Sequence, residues 1–373
     1  MNLIHQLKQI PDVRGSRGKR YALWQLLLLA LLGSLCGYVG YRPLSAFCVE
    51  NRAELEAILA LPKGVPTPSY STFRRLFIRV EHTPIVEIFD AWCHSFMRPT
   101  PGMWIGGDGK SIRCTSNHNG GSYISTVSLY SHTPGCVIAL SIMENHKTSE
   151  IAILRECIQS YPDIPGLTYT LDALHCQTDT VDLIVAQQQY YLITVKANQK
   201  TLHQQLTDWV STQSPISVDE QTDPTHGRTV TRTVSVFKMP AELQQKWQAS
   251  QQVIHVKREG IREGKPFCYQ TLYMSNHQFS AAQYSPHIQE RWGIENRLHW
   301  VRDVTFCEDH PPRLGGHAPV NWAVFNCWLI TLIRQLGYRT IPDGIRGLTN
   351  RVEKVFNLLI NGFPPLQTAT PLT

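Results

Sequence analysis

The order of strand-like and helix-like segments between residues 103 and 198 constrains the fold more than any other feature of the chain. Three β-rich runs, MWIGGDGKSI, SYISTVSLYS and CVIALSIMEN, are separated by turn-forming Gly, Asn and Pro residues. An amphipathic helix (TSEIAILRECIQSY), a fourth strand (LTYTLDAL), a second helix (CQTDTVDLIVAQQ) and a fifth strand (YYLITVKAN) follow. This alternation predicts an α/β fold.

Two acids lie at positions where this order would make them reactive. This order, in which three strands precede a helix, a strand, a helix and a strand, is that of an RNase H-like domain. In such a domain the first and fourth strands are neighbours. Asp108 lies in the first strand between glycines, and Asp172 ends the fourth strand. We therefore expect the two carboxylates to converge at one edge of the sheet.

A third acid, Glu295, lies in the segment RWGIENRLHWVRD, residues 291–303. At helical spacing this segment has an apolar stripe formed by Ile294, Leu298 and Val301. Another face is polar and carries Arg291, Glu295, His299 and Arg302. Taken alone, the stretch fits a surface helix with charge pairing as well as it fits a helix that meets an anion.

Three carboxylates at one place, with few soft ligands, suit a hard cation such as Mg²⁺ or Mn²⁺. Two such ions roughly 3.5–4 Å apart would activate an attacking oxygen and stabilise the leaving oxygen of a phosphodiester. Beside them, the sequence predicts that Arg291, Arg297 and Arg302 neutralise a polyanion. Trp292 and Trp300 could stack on unpaired bases or pack, and packing is the expected role of at least one.

The chain up to residue 97 has helical periodicity. The uncharged run from Tyr21 to Tyr41 is just long enough to span a bilayer, but Gln25, Ser34 and three glycines interrupt it. We therefore predict two short buried helices in this run, with a membrane anchor as the alternative.

The segment PTPSYSTFRRLFIRV, residues 66–80, begins a new helix with Ser69 or Ser71 as its cap. It spaces Arg74, Arg75 and Arg79 along this helix. Two helices, a Gly/Pro turn and a short basic helix are typical of a helix-turn-helix DNA reader. A plain helical bundle with an exposed arginine edge fits the same spacing.

Charge and cysteine content narrow the classes of protein. The net charge of +6 and the isoelectric point near 8.8 are compatible with an acidic partner such as nucleic acid. The ten cysteines are scattered and contain no CxxC pair. This argues against a zinc site and against a secreted disulfide framework, and it favours a reducing cytosol.

After residue 200 the alternation stops, and β-rich pieces among polar linkers predict an inserted β subdomain. A long helix is then expected to carry Glu295, and VNWAVFNCWLITLIRQL (320–336) is expected to be a buried closing helix. The tail after Arg351 is expected to be loosely ordered. The predicted divisions are a helical DNA-binding domain (1–97), an RNase H-like core in two parts (98–199 and 277–345), a β-rich insertion (200–276) and a C-terminal tail (346–373).

Taken in order, the motifs of the chain resemble those of DDE insertion-sequence transposases of the ISAs type, also called H-repeat-associated proteins. The resemblance extends over nearly the whole chain and includes RGKRYALWQLLLLALL, PSYSTFRR, DGK, KTSEI, LDALHCQ, YLITVKANQ and WGIENRLHWVRDVTFCED. It implies that Asp108, Asp172 and Glu295 form a catalytic triad that holds Mg²⁺ or Mn²⁺, two ions per site. The β-rich stretch before Glu295 resembles the insertion that related transposases carry.

Two positions depart from the Tyr, Arg, Glu and Lys signature of the broader insertion-sequence group. Arg291 and Glu295 match it, whereas Ile288 stands in the Tyr position and Arg302 in the Lys position. Arg keeps the positive charge with a different donor geometry. Because the Tyr is missing, a specific role of this position in binding a base flipped out of the duplex is not expected. The metal chemistry does not depend on it.

Other polar residues near the triad are assigned supporting roles. His299 is expected to contact the metal ligands without binding the metal itself. Asp303 is expected to have the same role, to cap the helix or to form a stabilising pair. Lys196, after the fifth strand, is expected to contact phosphate or to be solvated. His175 lies near Asp172 in sequence, but a structural role is the more common one for such a residue.

The resemblance implies a metal-dependent enzyme that cleaves DNA at the ends of an element and joins the freed 3′-OH to target DNA. Its partners would be terminal inverted repeats and target DNA, bound by a homodimer in the bacterial cytoplasm at the nucleoid, with no membrane contact. Two other classes remain open. One is an RNase H-like nuclease that cuts without strand transfer, and the other is a DNA-binding protein without catalysis.

Overall fold

A computed structural model describes residues 3–15, 19–116, 123–144, 149–224, 229–247, 249–262, 265–310 and 313–362. Its strands are β1 (Trp104–Ile112), β2 (Ile124–Ser131), β3 (Val137–Glu144), β4 (Thr168–Leu171), β5 (Tyr190–Val195), β6 (Ser217–Asp223), β7 (Thr229–Lys238), β8 (Gln252–Arg262) and β9 (Lys265–Ser275). They form one sheet in the order β3-β2-β1-β4-β5-β9-β8-β7-β6.

The five strands predicted from the sequence are all present. β1 pairs in parallel with β4, and β4 pairs in parallel with β5. β2 and β3 extend the sheet by antiparallel pairing on the other side of β1. The predicted contact between the first and fourth strands is therefore confirmed, and the carboxyl ends of these parallel strands lie at the same edge of the sheet.

The β-rich stretch expected as an inserted subdomain is an extension of the same sheet. β9 pairs antiparallel with β5, with Leu192 opposite Ser275, and β8, β7 and β6 follow outward. The division at 200–276 stays a prediction about domains. The sequence did not predict that these strands continue the sheet, because spacing and composition do not say which neighbour a strand will pair with. The stretch also begins with a helix that the sequence analysis did not predict, at Lys200–Thr212.

The helices lie on the two faces of this sheet and at its β3 edge. They are α1 (Leu3–Leu7), α2 (Leu23–Leu35), α3 (Tyr41–Glu50), α4 (Arg52–Leu59), α5 (Tyr70–Arg79), α6 (His82–Phe96), α7 (Glu150–Gln159), α8 (Thr178–Ala186), α9 (Lys200–Thr212), α10 (Ala241–Gln244), α11 (Ala281–Glu290), α12 (Trp300–Val304), α13 (Ala318–Gln335), α14 (Ile341–Leu348) and α15 (Val352–Asn361). The predicted helices α7 and α8 are confirmed. Ser149 is the cap of α7, since its Oγ accepts a hydrogen bond from the Ala152 N–H at 3.3 Å; residue 147 of the KTSEI motif lies outside the described residues.

The uncharged run from Tyr21 to Tyr41 contains one helix, α2, where two short ones were expected. Twelve of its thirteen residues are buried, so its many leucines pack inside the protein. The helix ends before Gly37, whose φ of 95° suits glycine. Within the described residues, no helix has both the length and the apolar character needed to cross a bilayer.

The N-terminal helices share one apolar core with the C-terminal helices. Phe77 of α5 stacks on Trp322 of α13 with ring centroids 4.5 Å apart. Asn321 Nδ2 donates to the carbonyls of Phe77 and Val80 at 2.9 and 2.8 Å. α13 is buried along its whole length, as predicted for a closing helix. The division at residue 97 stays a prediction about domains, but the helices before it do not have a core of their own.

The expectation of a loosely ordered tail was wrong for the residues up to Gly362. α15 is amphipathic and buries Val352, Val355 and Leu359 in the same helical core. The Trp92 indole of α6 donates a hydrogen bond to the Leu359 carbonyl at 3.1 Å. The Pro- and Thr-rich composition beyond residue 362 concealed this helix, and those last residues lie outside the described part of the chain.

Asp90 of α6 gives a first testable prediction. Its Oδ1 accepts a hydrogen bond from the Leu140 N–H of β3 at 2.8 Å, and burial raises the pKa of this carboxyl to about 7. The folded protein therefore binds a proton here more tightly than the unfolded chain, and its free energy of unfolding falls as the pH rises towards 7. Asp90→Asn keeps an acceptor for Leu140 without the buried charge, so it should raise the melting temperature at pH 8.

Thermal melts at pH 8 and pH 4 measure the effect. Removing the charge should recover on the order of 1–3 kcal/mol at the higher pH, and each kcal/mol corresponds to roughly 1–2 °C in a protein of this size. At pH 4 the change should nearly vanish, because Asp90 is then protonated in the folded protein. Glu87→Gln is the matched control, since Glu87 is an exposed acid on the same helix. Equal gains at both pH values would contradict the prediction.

Candidate functional site

Asp108 is placed by a pair of glycines in β1. A Cβ on Gly107 would lie 2.6 Å from Leu154 Cδ1 of α7, and a Cβ on Gly109 would overlap the carboxylate of Glu150. The sequence GGDG thus allows α7 to pack closely against the strand on one face. Asp108 itself, between the glycines, points to the opposite face.

Asp172 follows β4 directly beside Asp108. Gly107 is opposite Leu171 in the parallel pairing of β1 and β4, so the next residue on each strand is one of the two acids. Asp172 Oδ1 accepts a hydrogen bond from the Leu174 N–H at 2.9 Å, which fixes one oxygen at the start of a short 3₁₀ turn. The predicted convergence of the two acids at one edge of the sheet agrees with this pairing.

Glu295 lies in a π-helical turn, Ile294–His299, between α11 and α12. The long helix expected to carry it is therefore interrupted. The apolar stripe predicted from the sequence is confirmed, because Ile294, Leu298 and Val301 are all at most 5% exposed. Isolated π-helical turns inside helices occur frequently at functional sites, since they redirect side chains at a cost in hydrogen bonding. Here the turn directs Glu295 towards β1.

The carboxylates of Asp108 and Glu295 meet at the imidazole of His299. His299 Nδ1 is 3.4 Å from Glu295 Oε2 and 3.7 Å from Asp108 Oδ2. Hydrogen bonding to His299 lowers the pKa of Glu295 to about 2, whereas burial and the neighbouring Glu295 charge raise the pKa of Asp108 to about 8. Burial lowers the pKa of His299. The site therefore concentrates more negative charge than its own residues neutralise.

This donor set fits a divalent cation. One ligand atom each from Asp108, Glu295 and His299 lies within 4.8 Å of the other two. Asp172 lines the same cleft, which has a volume of about 580 Å³. Carboxylate oxygens dominate the set, as hard cations require, and His299 adds a nitrogen that the sequence analysis assigned to a supporting position.

Basic and aromatic side chains line the cleft together with the acids. Three residues predicted to contact DNA, Lys196, Arg291 and Trp292, line the cleft. The Arg291 guanidinium lies over the Trp292 ring, 5.8 Å from its centroid. Trp292 and Trp300 are 47% and 56% exposed, so each ring is packed over about half of its surface and leaves the rest free.

Comparison with known proteins identifies the family. The profile described as Transposase DDE domain matches residues 99–332, and the profile described as DDE_Tnp_1-associated matches residues 4–93. The chain belongs to the DDE transposase family. The resemblance to H-repeat-associated proteins inferred from its motifs is thus confirmed, and the family is one of nucleic-acid-processing enzymes that use divalent metal ions.

Two relatives cover most of this transposase. The protein named "Putative transposase YncI" from Escherichia coli O157:H7 is 25% identical over 83% of this chain and 81% of its own length. The one named "H repeat-associated putative transposase YhhI" from Escherichia coli strain K12 is 25% identical over 82% of this chain and 83% of its own length. The similarity therefore includes both the helical region and the sheet.

Two arginines of the Glu295 segment do not face the cleft. Arg297 packs on the turn after β2, where its Nη2 donates to the Pro134 carbonyl at 3.3 Å. Arg302 is fully buried, and its Nε donates to Glu308 Oε2 at 2.8 Å while Nη1 donates to Thr126 Oγ1 at 2.8 Å. The prediction that Arg302 contacts DNA was wrong, because helical spacing alone placed it on the polar face.

The charges that follow the π-helical turn form structural pairs. Glu308 also accepts from Asn326 Nδ2 of α13 at 2.7 Å, so the Arg302–Glu308 pair bridges β2 and the helical core. Asp303 pairs with the buried Lys110 of the DGK motif at 2.5 Å. Of the roles considered for Asp303, pairing is the one that this geometry supports.

The three arginines of α5 lie on the surface of the helical region. Arg74, Arg75 and Arg79 are exposed. Arg75 and Arg79 line a shallow polar cleft together with Arg14 and Lys19. The predicted basic edge is thus present, and the N-terminal segment contributes two cations that the helix pattern did not include.

Sequence reasoning missed two contacts next to the acids. Glu150 Oε1 lies 3.2 Å from His175 Nε2, and His175, fully buried, is also 3.9 Å from Asp172 Oδ1. On the other side of Asp172, the Thr170 hydroxyl is 2.9 Å from His132 Nε2. The TSE motif at the start of α7 was the available signal for Glu150, but it suggested only a helix cap.

Replacing Arg302 should destabilise the protein. Arg302→Gln leaves Glu308 buried without its cation, and breaking such a pair typically lowers the free energy of unfolding by roughly 3–5 kcal/mol. A chemical denaturation curve measures the loss. Arg113→Gln is the control, because the Arg113 side chain is 75% exposed and its pair with Asp309 should contribute at most about 1 kcal/mol. An Arg302→Gln variant as stable as the wild type would contradict a structural role.

Proposed function

We propose that this chain is the transposase of an insertion sequence. It would cleave phosphodiester bonds at the ends of the element and join the freed 3′-OH to target DNA. The observation that carries the proposal is the meeting of Asp108, Asp172 and Glu295 in one cleft that cationic side chains also line. Family membership supports the transposase assignment, and the cleft supplies the chemistry.

The strand order supports an RNase H-like core. The sequence β3-β2-β1-β4-β5, with β1, β4 and β5 parallel, is the arrangement expected of that fold from the order of its elements. In it, acids on β1 and after β4 lie side by side. Glu295 comes from a later element that crosses the same edge, so the three carboxylates have separate supports and can hold their spacing.

We propose that Asp108, Asp172 and Glu295 hold two Mg²⁺ or Mn²⁺ ions. When bound, such a pair activates an attacking oxygen and stabilises the leaving oxygen of the phosphodiester. His299 lies between Asp108 and Glu295 and orients both carboxylates, and its nitrogen is within reach as a further ligand. Asp303 acts indirectly, through its ion pair with Lys110, which lies two residues after Asp108 on β1.

The remaining cleft residues position the nucleic acid. Lys196 and Arg291 offer charge to phosphates next to the scissile bond, because both line the cleft. Trp292 offers an exposed ring on which an unpaired base can stack. Arg297, half-buried against Pro134, is placed to hold the turn after β2 and reaches phosphate only if its side chain reorients.

The helical region is proposed to recognise the element ends. The exposed Arg74, Arg75 and Arg79 of α5 provide charge for phosphate or base contacts. An element has two ends, and a homodimer assembled on DNA would offer one active site to each. We propose that the chain acts in this form, in the bacterial cytoplasm.

The triad gives the central prediction. Asp108→Asn, Asp172→Asn and Glu295→Gln should each abolish Mg²⁺-dependent cleavage of a duplex that carries the DNA flanking the coding sequence. Binding should be kept or improved, because each change removes negative charge that repels phosphate. Gel electrophoresis of labelled duplex measures cleavage, and a mobility shift in EDTA measures binding.

Asp179→Asn is the matched control, since this acid is 76% exposed on α8 and away from the cleft. A triad variant that cleaves at the wild-type rate would remove that residue from the site. Joined products on a second, unlabelled plasmid distinguish transposition from simple nuclease activity. A wild-type protein that binds but never cleaves would overturn the proposal.

The basic edge of α5 gives a second prediction. Arg75→Gln combined with Arg79→Gln should weaken binding to the element ends and reduce the slope of log K against log salt by roughly 1 for each lost phosphate contact. The variant is made in the full chain, because the N-terminal helices share the core of α13 and α15. Arg155→Gln, on α7, is the control. Unchanged affinity and slope would exclude α5 as a contact.

A further inference from the structure

Two arginines lie directly opposite each other on the outer strands of the sheet. Arg232 of β7 is paired in register with Arg258 of β8, and Arg258 is in turn opposite Tyr269 of β9. Directly opposed residues on antiparallel strands share a face and lie about 4.5–5.5 Å apart at Cβ. The two guanidinium groups are therefore neighbours, and like charges in this position destabilise a sheet.

The structure does not neutralise this pair. Among the described residues, no ion pair includes Arg232, Arg258 or Arg291. Asp223 of β6 is the acid that interacts electrostatically with Arg232. Arg258 Nε is buried and has no hydrogen-bond partner in the described part of the chain. Burial and the charge of Arg258 lower the pKa of Arg232. An anion placed between the two groups would relieve both effects.

The arginine pair lies on the face of the sheet that carries the acids. Side chains alternate along a strand, so Arg258 shares a face with Ile254 and Val256, which pack under α11. Arg258 and Tyr269 line the same cleft as Asp108, Asp172 and Glu295. The charges of Arg232, Arg258 and Arg291 all act on the buried Tyr273 hydroxyl, so the three cations lie within electrostatic range of one side chain. The cleft is thus acidic at one end and basic at the other.

Exposed aromatic rings accompany the basic end. Tyr269 is 65% exposed and Trp292 is 47% exposed. Bases inside a duplex are stacked on each other and cannot offer a face to such rings, whereas unpaired bases can. Phosphate-binding cations interleaved with free rings are the combination that binds single-stranded nucleic acid.

We propose that Arg232, Arg258 and Tyr269, together with Arg291 and Trp292, bind an unpaired stretch of the DNA strand that continues from the scissile phosphate. The arginines hold its phosphates, and the rings stack on its bases. The inference rests on the proposed function for the identity of the strand. It assigns to β7–β9 a direct role in binding substrate, beyond extending the sheet.

The test compares two labelled probes in EDTA, so that no cleavage occurs. One is a blunt duplex of mixed sequence, and the other is the same duplex with about six unpaired nucleotides on one strand. The wild type should bind the tailed probe at least about 5-fold more tightly, as one stacked base already provides. Arg258→Gln and Arg232→Gln should remove most of this preference and lower the salt slope for the tailed probe by roughly 0.7 per lost phosphate.

Lys257→Gln is the matched control, because Lys257 is next to Arg258 on β8 but faces the other side, where it pairs with Glu259. It should keep the preference for the tail. Arg258→Lys keeps the charge and should retain most of the salt slope. Arg258→Gln should also leave the melting temperature unchanged or raise it, since it removes repulsion, and binding is measured well below the melting temperature of each variant.

Three results would overturn the inference: equal binding of both probes by the wild type, an undiminished preference in Arg258→Gln, or the same loss in Lys257→Gln as in Arg258→Gln. Cleavage of flanking DNA by the wild type with Mg²⁺ is measured in parallel. Cleavage without a preference for the tail contradicts the strand-binding surface alone. A preference for the tail without cleavage contradicts the proposed function and leaves the surface standing.

Discussion

The buried ion pair between Arg302 and Glu308 ties together the three parts of this protein. Arg302 reaches Thr126 on β2, and Glu308 accepts from Asn326 on α13, so the pair joins the sheet, the Glu295 segment and the helical core. An isolated charge at this depth would cost several kcal/mol. The pair is stable because each ion has a second partner. It fixes the chain directly after the π-helical turn, and this turn determines the position of Glu295 relative to β1.

The site is organised by an asymmetry of charge. The acids converge from β1, from the end of β4 and from the π-helical turn, and they raise the pKa of Asp108 to about 8 by burial and mutual repulsion. The cations come from β7, β8 and the segment after α11. Arg291 lies close enough to Glu295 to help lower its pKa, whereas Arg232 and Arg258 lie on the outer strands, away from β1 and β4. Such an arrangement favours the binding of an elongated polyanion, with the metal-binding acids at one end of the cleft.

The sequence was most informative where periodicity and pairing coincide. The alternating runs of β1 to β5 predicted their own strands, and the positions of Asp108 and Asp172 followed once β1 and β4 were taken as neighbours. Arg302 was misplaced because a helical projection treats every arginine as solvent-facing, while its partner Glu308 lies six residues away beyond the helix. Glu150 was missed because its contact with His175 depends on how α7 crosses β1. The continuity of the nine strands depends on the pairing of β9 with β5, which no local pattern specifies.

The shared helical core has a consequence for how the chain is made. The apolar faces of α2, α5 and α6 are completed by α13 and α15, which are synthesised roughly 220 residues later. At the usual speed of translation, the first helices wait roughly 10–40 s for their partners. During that interval the proposed DNA-reading surface of α5 has no finished support. A copy of the gene that is truncated before α13 would therefore yield a polypeptide with exposed leucine-rich helices, which is a substrate for proteases and not a competitor for the element ends.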